Sequence, residues 1–197
     1  MQTQGIILSA GESSRMGQPK ALLEVEGESF LGRLQRIFGE AGIEALAVVV
    51  GGRHQLQVLE LAASLGLEGW VNPDPRAGPI SSVRTALERC PRASALFLHP
   101  VDIPGVRVED VRLVMAGAEE HPHADAIIPS VHMKRAHPIL LRRSLDAPIL
   151  NPELESLREL WRMPEVQIVH VESDNEGLLR DVDTPADYQR LLGPKED

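Results

Sequence analysis

Two cationic side chains, Arg15 and Lys20, stand at the end of the segment GIILSAGESSRMGQPK, from Gly5 to Lys20, and the residues leading to them are small. Ser9, Ala10, Gly11, Ser13, Ser14 and Gly17 leave room for backbone N–H groups to approach an anion, and the two cations add charge-assisted donors. The chemistry this suits is the holding of phosphate oxygens. A carboxylate, Asp102, lies in HPVDIP, from His99 to Pro104, directly after an apolar run. A hard cation such as Mg2+ takes oxygen ligands of this kind and completes its shell with phosphate oxygens and water. The other use for such an acid is to cap a following helix. Two more acids, Asp181 and Asp183, fall in RDVDTPADY, where Thr184, Pro185 and Asp187 spell a helix start. A hydroxyl caps it, Pro takes the first helical position and an acid the third, which makes Asp187 structural. Ser81 and Ser82 follow the Pro- and Gly-rich run NPDPRAGPI, and their hydroxyls suit helix capping, contact with a nucleobase, or both.

The Gly11 to Lys20 loop matches neither of the common phosphate loops. A Walker A loop needs Gly-Lys-Ser/Thr in succession, whereas Gly17 is followed by Gln18, Pro19 and Lys20. A dinucleotide fingerprint needs glycines where Ser13 and Met16 stand. On spacing alone, an ordinary strand-to-helix turn with two surface cations stays open.

These residues need a frame that gathers them. Ile6, Ile7 and Leu8 form a short apolar run of the kind found in a central parallel strand. Phe30, Leu31, Leu34, Ile37, Phe38 and Ala41 then recur at helical spacing until Gly42. Residues 45–50 form a second strand, and Leu56, Leu59, Ala62, Ala63 and Leu65 mark a second helix that Gly66 stops. A weaker strand at 69–71 precedes a helix carried by Val83, Ala86 and Leu87 to Cys90. Residues 95–98 are the next strand, and Val108, Val111, Val114, Met115 and Ala118 the next helix. Residues 126–129 and 138–141 are strand-like around MKRAHP. Leu154, Leu157, Leu160 and Trp161 mark a short helix, 167–171 a last strand and 185–192 a closing helix. Strand and helix alternate over the first 120 residues, which predicts a right-handed, mostly parallel α/β sheet with ligands beyond the carboxyl ends of its strands. The Gly11 to Lys20 loop, the Asn72 to Ser82 loop and Asp102 all follow strands at once.

At 197 residues and 43% apolar composition the chain can bury one core, so a single domain over residues 1–197 is expected. No apolar run reaches about 18 residues and no charged-then-apolar leader opens the sequence, which predicts a cytoplasmic protein. Twenty Lys and Arg against twenty-nine Asp and Glu leave a net charge of −9, which opposes binding to nucleic acid or to an anionic membrane. A small, locally neutralised substrate is the easier partner. The lone Cys90 reads as a packing thiol. Disorder is expected for Lys195, Glu196 and Asp197.

The segment LSAGESSRMGQPK resembles the signature of the MobA-like nucleotidyltransferases, Leu-x-x-Gly-x-Ser-x-Arg-Met-Gly-x-x-Lys, at Leu8, Gly11, Ser13, Arg15, Met16, Gly17 and Lys20. The resemblance implies a three-layer, Rossmann-like nucleotidyltransferase fold and a loop that holds a nucleoside triphosphate, with Leu8, Ala10, Gly11, Arg15 and Lys20 at the nucleotide. Asp102 looks like the family's metal-binding Asp-x-Pro aspartate. Asp183 looks like the acid directly before Thr-Pro in its closing motif, Asp-Ile-Asp-Thr-Pro-Glu-Asp, with Asp181 in reserve as the second ligand. NPDPRAGPISSVR is similar to the Asn-Pro…Gly-Met-Ser-Ser-Ser-Leu stretch of molybdenum cofactor cytidylyltransferases, which implies that Asn72, Gly78, Ser81 and Ser82 help hold the base; Pro79 stands where Met is usual. Ala136-His137-Pro138 resembles the family's Gly-His-Pro and implies that His137 binds the acceptor, the plainer alternative being a surface imidazole in a basic loop. PELESLRELWRMPEV replaces the family's Gly-Asp-x-Gly-Ala-Arg segment, so the acceptor side resembles the family least.

What the resemblance implies is Mg2+-dependent transfer of a nucleoside monophosphate, from CTP first and GTP second, to a phosphorylated acceptor, with pyrophosphate released. Lys20, Arg15 and Asp102 would be catalytic. Molybdopterin is the first acceptor and a sugar phosphate an alternative, while a molybdoenzyme or its maturation factor is the implied protein partner. The reading from another class is a nucleotide-binding sensor without turnover.

Overall fold

Buried β-branched and apolar runs make the strands, and amphipathic segments between them make the helices. In the computed structural model, which describes residues 2–193, the elements follow in this order. They are β1 (Thr3–Ser9), a hairpin of β2 (Glu24–Val25) and β3 (Glu28–Ser29), α1 (Phe30–Glu40), β4 (Leu46–Val50), α2 (Gln55–Ser64) and β5 (Glu68–Val71). Then come α3 (Pro79–Arg89), β6 (Ala95–Pro100), α4 (Val108–Glu120), β7 (Ala126–Val131), β8 (Lys134–Arg135) and β9 (Ile139–Arg142). The chain ends with α5 (Asp146–Leu150), α6 (Leu157–Leu160), β10 (Ile168–Glu172) and α7 (Pro185–Leu192). The expected disorder at Lys195 to Asp197 lies outside the described residues.

The main sheet runs β10-β7-β9-β6-β1-β4-β5, with β8 paired to β7. β1 is parallel to both β4 and β6, β4 is parallel to β5, and β7 to β10. β9 runs antiparallel between β6 and β7. Helices cover both faces, which gives three layers: one core cluster joins α1, α2 and α4 through Phe38, Val58, Phe97 and Val114, and the other joins α3, α5 and α6 through Val83, Leu98, Ile149 and Leu160. Burying one such large apolar side chain contributes about 1.5–3 kcal/mol. Because β4 and β6 flank β1 on opposite sides, the chain reverses its direction across the sheet there. The crevice at the carboxyl end of β1 is therefore the place where a fold of this type binds ligands.

The expected elements are present, with four differences. α3 begins at Pro79, four residues before Val83, where the sequence reading starts its apolar spacing, because Pro fits the first helical turn. This puts Ser81 and Ser82 inside the helix, and neither caps it. The helix read from Leu154 to Trp161 is confined to α6, where the Ser156 side chain accepts from Glu159 N–H. Neither α5 nor β8 is apparent from periodicity; β8 follows a two-residue turn in which His132 and Met133 both have positive φ. No helix among the described residues is long and apolar enough to cross a membrane. Cys90 is buried, and burial pushes its thiol up to about 11, as befits a packing residue.

Candidate active site

β1 delivers the chain into a loop folded around Ser13, whose carbonyl accepts the N–H groups of Met16 at 3.1 Å and Gly17 at 2.9 Å. Met16 is buried among the apolar side chains of the α1 face and anchors the loop from within. Arg15, its neighbour, is left 69% exposed, while Lys20 opens a 3-10 turn over Lys20–Leu22 and is only 12% exposed. The apolar Met16 inside an otherwise polar loop thus separates an exposed cation from a buried one.

Lys20 Nζ donates to Asp102 Oδ2 at 2.8 Å and to Asp183 Oδ1 at 2.5 Å, and Arg15 Nη2 donates to Asp183 Oδ2 at 2.8 Å. Four candidate residues from three separated parts of the chain therefore meet in one cleft of about 280 Å3, which Leu8, Ser9, Gly11, Ser13 and Ser14 also line. Burial pulls the Lys20 ammonium down, but its two carboxylate hydrogen bonds outweigh that and leave its pKa above the ordinary value. The hydrogen bond from Lys20 holds the Asp183 carboxyl below the ordinary value against some desolvation, with help from Arg15. Asp181 is raised, first by desolvation and then by the nearby charges of Asp102 and Asp183. Asp102 does not cap α4, whose cap residue is Arg107.

A divalent cation is compatible with this donor set. Two carboxylates converge on one cationic centre, and among the described residues no cluster of three or more His, Cys, Asp or Glu could cage an ion. Mg2+ is held in this sparse way, by one or two carboxylates, while water and substrate phosphate fill the rest of its octahedron. Asp102 and Asp183 are the residues that would hold it.

The base-side candidates form a network of their own. Asn72 Nδ2 donates to Ser81 Oγ at 2.7 Å and to Ser82 Oγ at 3.0 Å, while Asn72 Oδ1 accepts from Asp74 N–H at 2.9 Å. Ser81 Oγ in turn donates to the Gly78 carbonyl at 2.7 Å. All three side chains are buried, so the network fixes the Asn72 to Ser82 loop before any ligand arrives. None of the four residues lines the Lys20 cleft. The link between the two loops is Gly51, read from sequence only as a strand break. A Cβ there would lie 3.1 Å from both Ala10 Cβ and Pro75 Cβ, so a side chain at this position would push the two loops apart by a few tenths of an ångström.

His137 is not the surface imidazole that was the plainer alternative. Its Nδ1 lies 3.3 Å from the Leu98 carbonyl, and its ring packs edge-on against His99 at 6.3 Å. Burial lowers its pKa, opposed by the Leu98 carbonyl and by the charge of Asp102, which places it within electrostatic reach of the cleft. His99 is fully buried, with Nε2 2.9 Å from the Ile103 carbonyl and Nδ1 without a hydrogen-bond partner among the described residues. Burial, with His137 beside it, lowers its pKa to about 3.

Sequence reasoning missed the residues that bring Asp183 to Asp102. Asp110, at the third position of α4, accepts from Arg107 N–H at 2.8 Å, from Ser173 Oγ at 2.8 Å and from Asn175 Nδ2 at 2.6 Å. Asn175 Nδ2 also donates to the Gly105 carbonyl at 2.9 Å, and its Oδ1 accepts from Gly177 N–H at 2.9 Å. Further along, Val182 N–H donates to the Asp102 carbonyl at 2.8 Å. A helix-start acid at Asp110 is visible in the sequence; its partners, more than sixty residues away, are not.

Comparison with known proteins identifies the family and the fold. A "probable molybdenum cofactor guanylyltransferase" of Rhodopirellula baltica is 31% identical over 207 residues, spanning 98% of this chain and 91% of that protein. The molybdenum cofactor cytidylyltransferase of Escherichia coli K12 is 28% identical over 185 residues, spanning 93% and 92%. The crystal structure of Rv0371c from Mycobacterium tuberculosis in complex with manganese superposes with a TM-score of 0.75 at 26% identity, over 99% of this chain and all of that one. The family model for the MobA-like NTP transferase domain matches residues 5–178, which hold the phosphate loop, Asp102 and the Asp110 network. This chain belongs to the MobA-like NTP transferase domain family.

Proposed function

We propose that this nucleotidyltransferase transfers the nucleoside monophosphate of an NTP to a phosphorylated acceptor, with molybdopterin as the acceptor. The observation that carries the reading is the meeting of Lys20, Arg15, Asp102 and Asp183 at the carboxyl end of β1. An acceptor phosphate oxygen attacks the α-phosphorus in line, the bond to the β-phosphate oxygen breaks, and pyrophosphate leaves with the bonding electrons. Little covalent work falls to the protein; positioning and charge do most of it. Lys20, Arg15 and the loop N–H groups hold phosphate oxygens where negative charge gathers. Asp102 and Asp183 would hold Mg2+, which neutralises charge on the reacting phosphate when bound. Leu8, Ala10 and Gly11 shape the phosphate loop, and Asn72, Gly78, Ser81 and Ser82 form the base side. His137, neutral at pH 7 because its pKa is lowered, suits hydrogen bonding to the acceptor rather than ion pairing.

CTP is the first nucleotide, supported by the likeness of the Asn72 to Ser82 stretch to cytidylyltransferases. GTP is the second, favoured by the 31% identical relative named as a guanylyltransferase. Residues 1–197 act as one domain in this reading, and a molybdoenzyme or its maturation factor would receive the product. The test is a thermal-shift screen of the four nucleoside triphosphates with Mg2+, followed by pyrophosphate release in the presence of molybdopterin. A ligand at 100 times its Kd stabilises by about 2.7 kcal/mol, which such a screen resolves. CTP should give the largest shift and support release. Binding with no pyrophosphate formed under any pairing would instead make the chain a nucleotide sensor.

A further inference from the structure

Asp110 and Asp187 occupy the same position in two helices, the third residue after the cap, and both accept from the cap residue's N–H. Asp187 does this at the surface, as a local cap. Asp110 is 3% exposed and spends its remaining acceptor capacity outside its own helix, on Ser173 and Asn175. A helix cap gains nothing from such burial, because a carboxylate taken from water needs several donors to offset the loss of hydration, and none of these three donors is charged. The burial is explained by what the bonds join. Asp110 belongs to the segment that continues from Asp102, and Ser173 and Asn175 begin the segment that leads to Asp183. Between them Gly105 and Gly177 touch backbone to backbone: a Cβ on either would lie 2.8 Å from the other's carbonyl oxygen. At the far end Val182 N–H closes onto the Asp102 carbonyl. Two segments, each carrying one carboxylate of the cleft, are thus joined at both ends.

We propose that Asp110 and Asn175, with Ser173, are positioning residues that set the spacing of Asp102 and Asp183 and thereby the affinity of the cleft for a divalent cation. The proposal rests on the reading of those two carboxylates as the cation's ligands, and deepens it. None of the three side chains touches the cleft; they act through the backbone of residues 173–183. Loosening the knot lets Asp183 drift on its own segment while Lys20, fixed by its 3-10 turn, stays in place. The cost falls on cation binding, not on the phosphate loop.

The test is a titration of the intact protein with Mn2+, reading free Mn2+ by its paramagnetic resonance signal, with no nucleotide and no turnover. The single variants Asn175→Ala and Ser173→Ala are compared with the wild type at a temperature where each is folded, and Asp183→Asn and Arg36→Ala serve as references. Asn175→Ala should raise the half-saturating Mn2+ about tenfold and Ser173→Ala about threefold, while Arg36→Ala, which removes surface ion pairs with Glu28 and Glu40, leaves it unchanged. Asp110→Ala removes the acceptor of the bonds from Ser173 and Asn175 together, and at a temperature where it is folded its effect should be at least that of Asn175→Ala. If Asp183→Asn weakens Mn2+ binding but folded Asn175→Ala and Ser173→Ala bind as tightly as the wild type, the positioning role is wrong and the cation reading stands. If Asp183→Asn binds Mn2+ like the wild type, the cation reading itself falls and takes the positioning role with it.

Discussion

On one side of β6, the strands β1, β4 and β5 end in loops that lock to one another: Ala10 and Pro75 close over Gly51, Asn72 ties Ser81 and Ser82, and Lys20 spans two carboxylates. On the other side, β7 and β9 offer one candidate, His137, turned inward onto Leu98 and His99, while the chain after β10 crosses back to bring Asp183 to Lys20. The two halves are also joined differently. The loops of the first are held by charge and side-chain hydrogen bonds, whereas the second is tied on by the backbone ladder of β9 on β6 and through Arg84 of α3, which donates to the carbonyls of Ile149, Asn151 and Leu154 at 2.8, 2.7 and 2.6 Å. The difference teaches where specificity can vary. A half built from convergent charges tolerates little change, while a half suspended from backbone carbonyls accepts new side chains without losing its attachment.

The largest effect that would break this contrast concerns the carboxylates. Asp102→Asn and Asp183→Asn should fold normally yet lose about 100-fold or more in pyrophosphate release, since a hard dication prefers anionic oxygen. Near-normal rates at ordinary Mg2+ in both variants would remove the charged half from the mechanism. Next comes Lys20→Ala, expected to weaken triphosphate binding and turnover together by about tenfold each, because an ammonium at this place touches charge present in ground and transition states alike. Should both parameters hold, Lys20 serves only to bridge Asp102 and Asp183 and does not touch the triphosphate. A smaller effect sharpens the other side: His137→Ala should raise KM for the acceptor by about fivefold and leave nucleotide affinity alone. An equal loss for nucleotide and acceptor would mean that the halves do not work separately.

The smallest effect is on stability. His99 and His137 both have folded pKa values below their unfolded value, so their contribution is present above about pH 6.5 and is lost as pH falls below it. Lys20 is raised and acts at the opposite end, its contribution full below about pH 10.4 and lost above that. Each buried imidazole steepens the acid side by up to about 1.4 kcal/mol per pH unit. Tm of the wild type should therefore decline from pH 6.5 downward, and His99→Phe, which keeps a ring against Phe38, should flatten that decline. A variant whose Tm falls with the wild type's slope would show that burial of His99 is not its cause.

Much of the phosphate side was legible in the sequence because its signals are local. The Ile6 to Leu8 run names a strand, the small residues after it name a loop, and Thr184-Pro185 starts a helix whose cap geometry is the one observed, with Thr184 Oγ1 accepting from Asp187 N–H at 3.2 Å. Each depends on neighbours within a few positions. The rest depends on contacts that no short window contains. Asp110 looks like any helix-start acid until Asn175 is folded onto it, Met16 looks like a loop residue until its side chain enters the core, and β9 is an ordinary apolar run whose antiparallel placement only the sheet determines. His137 was read from a tripeptide likeness, which carries no information about whether the ring points in or out.

The pairing of Lys20 and Arg15 with Asp102 and Asp183 has a consequence for arrival. The two cations of the cleft, Arg15 and Lys20, face three acids, Glu12, Asp102 and Asp183, and the whole chain carries a net charge of −9. A free polyanion approaching from beyond the screening distance, about 8 Å at physiological salt, meets no long-range attraction. Capture of a triphosphate should then be slow when the nucleotide comes alone and faster when a divalent cation travels with it. Monovalent salt should speed the encounter slightly rather than slow it, the reverse of what a positively charged funnel produces.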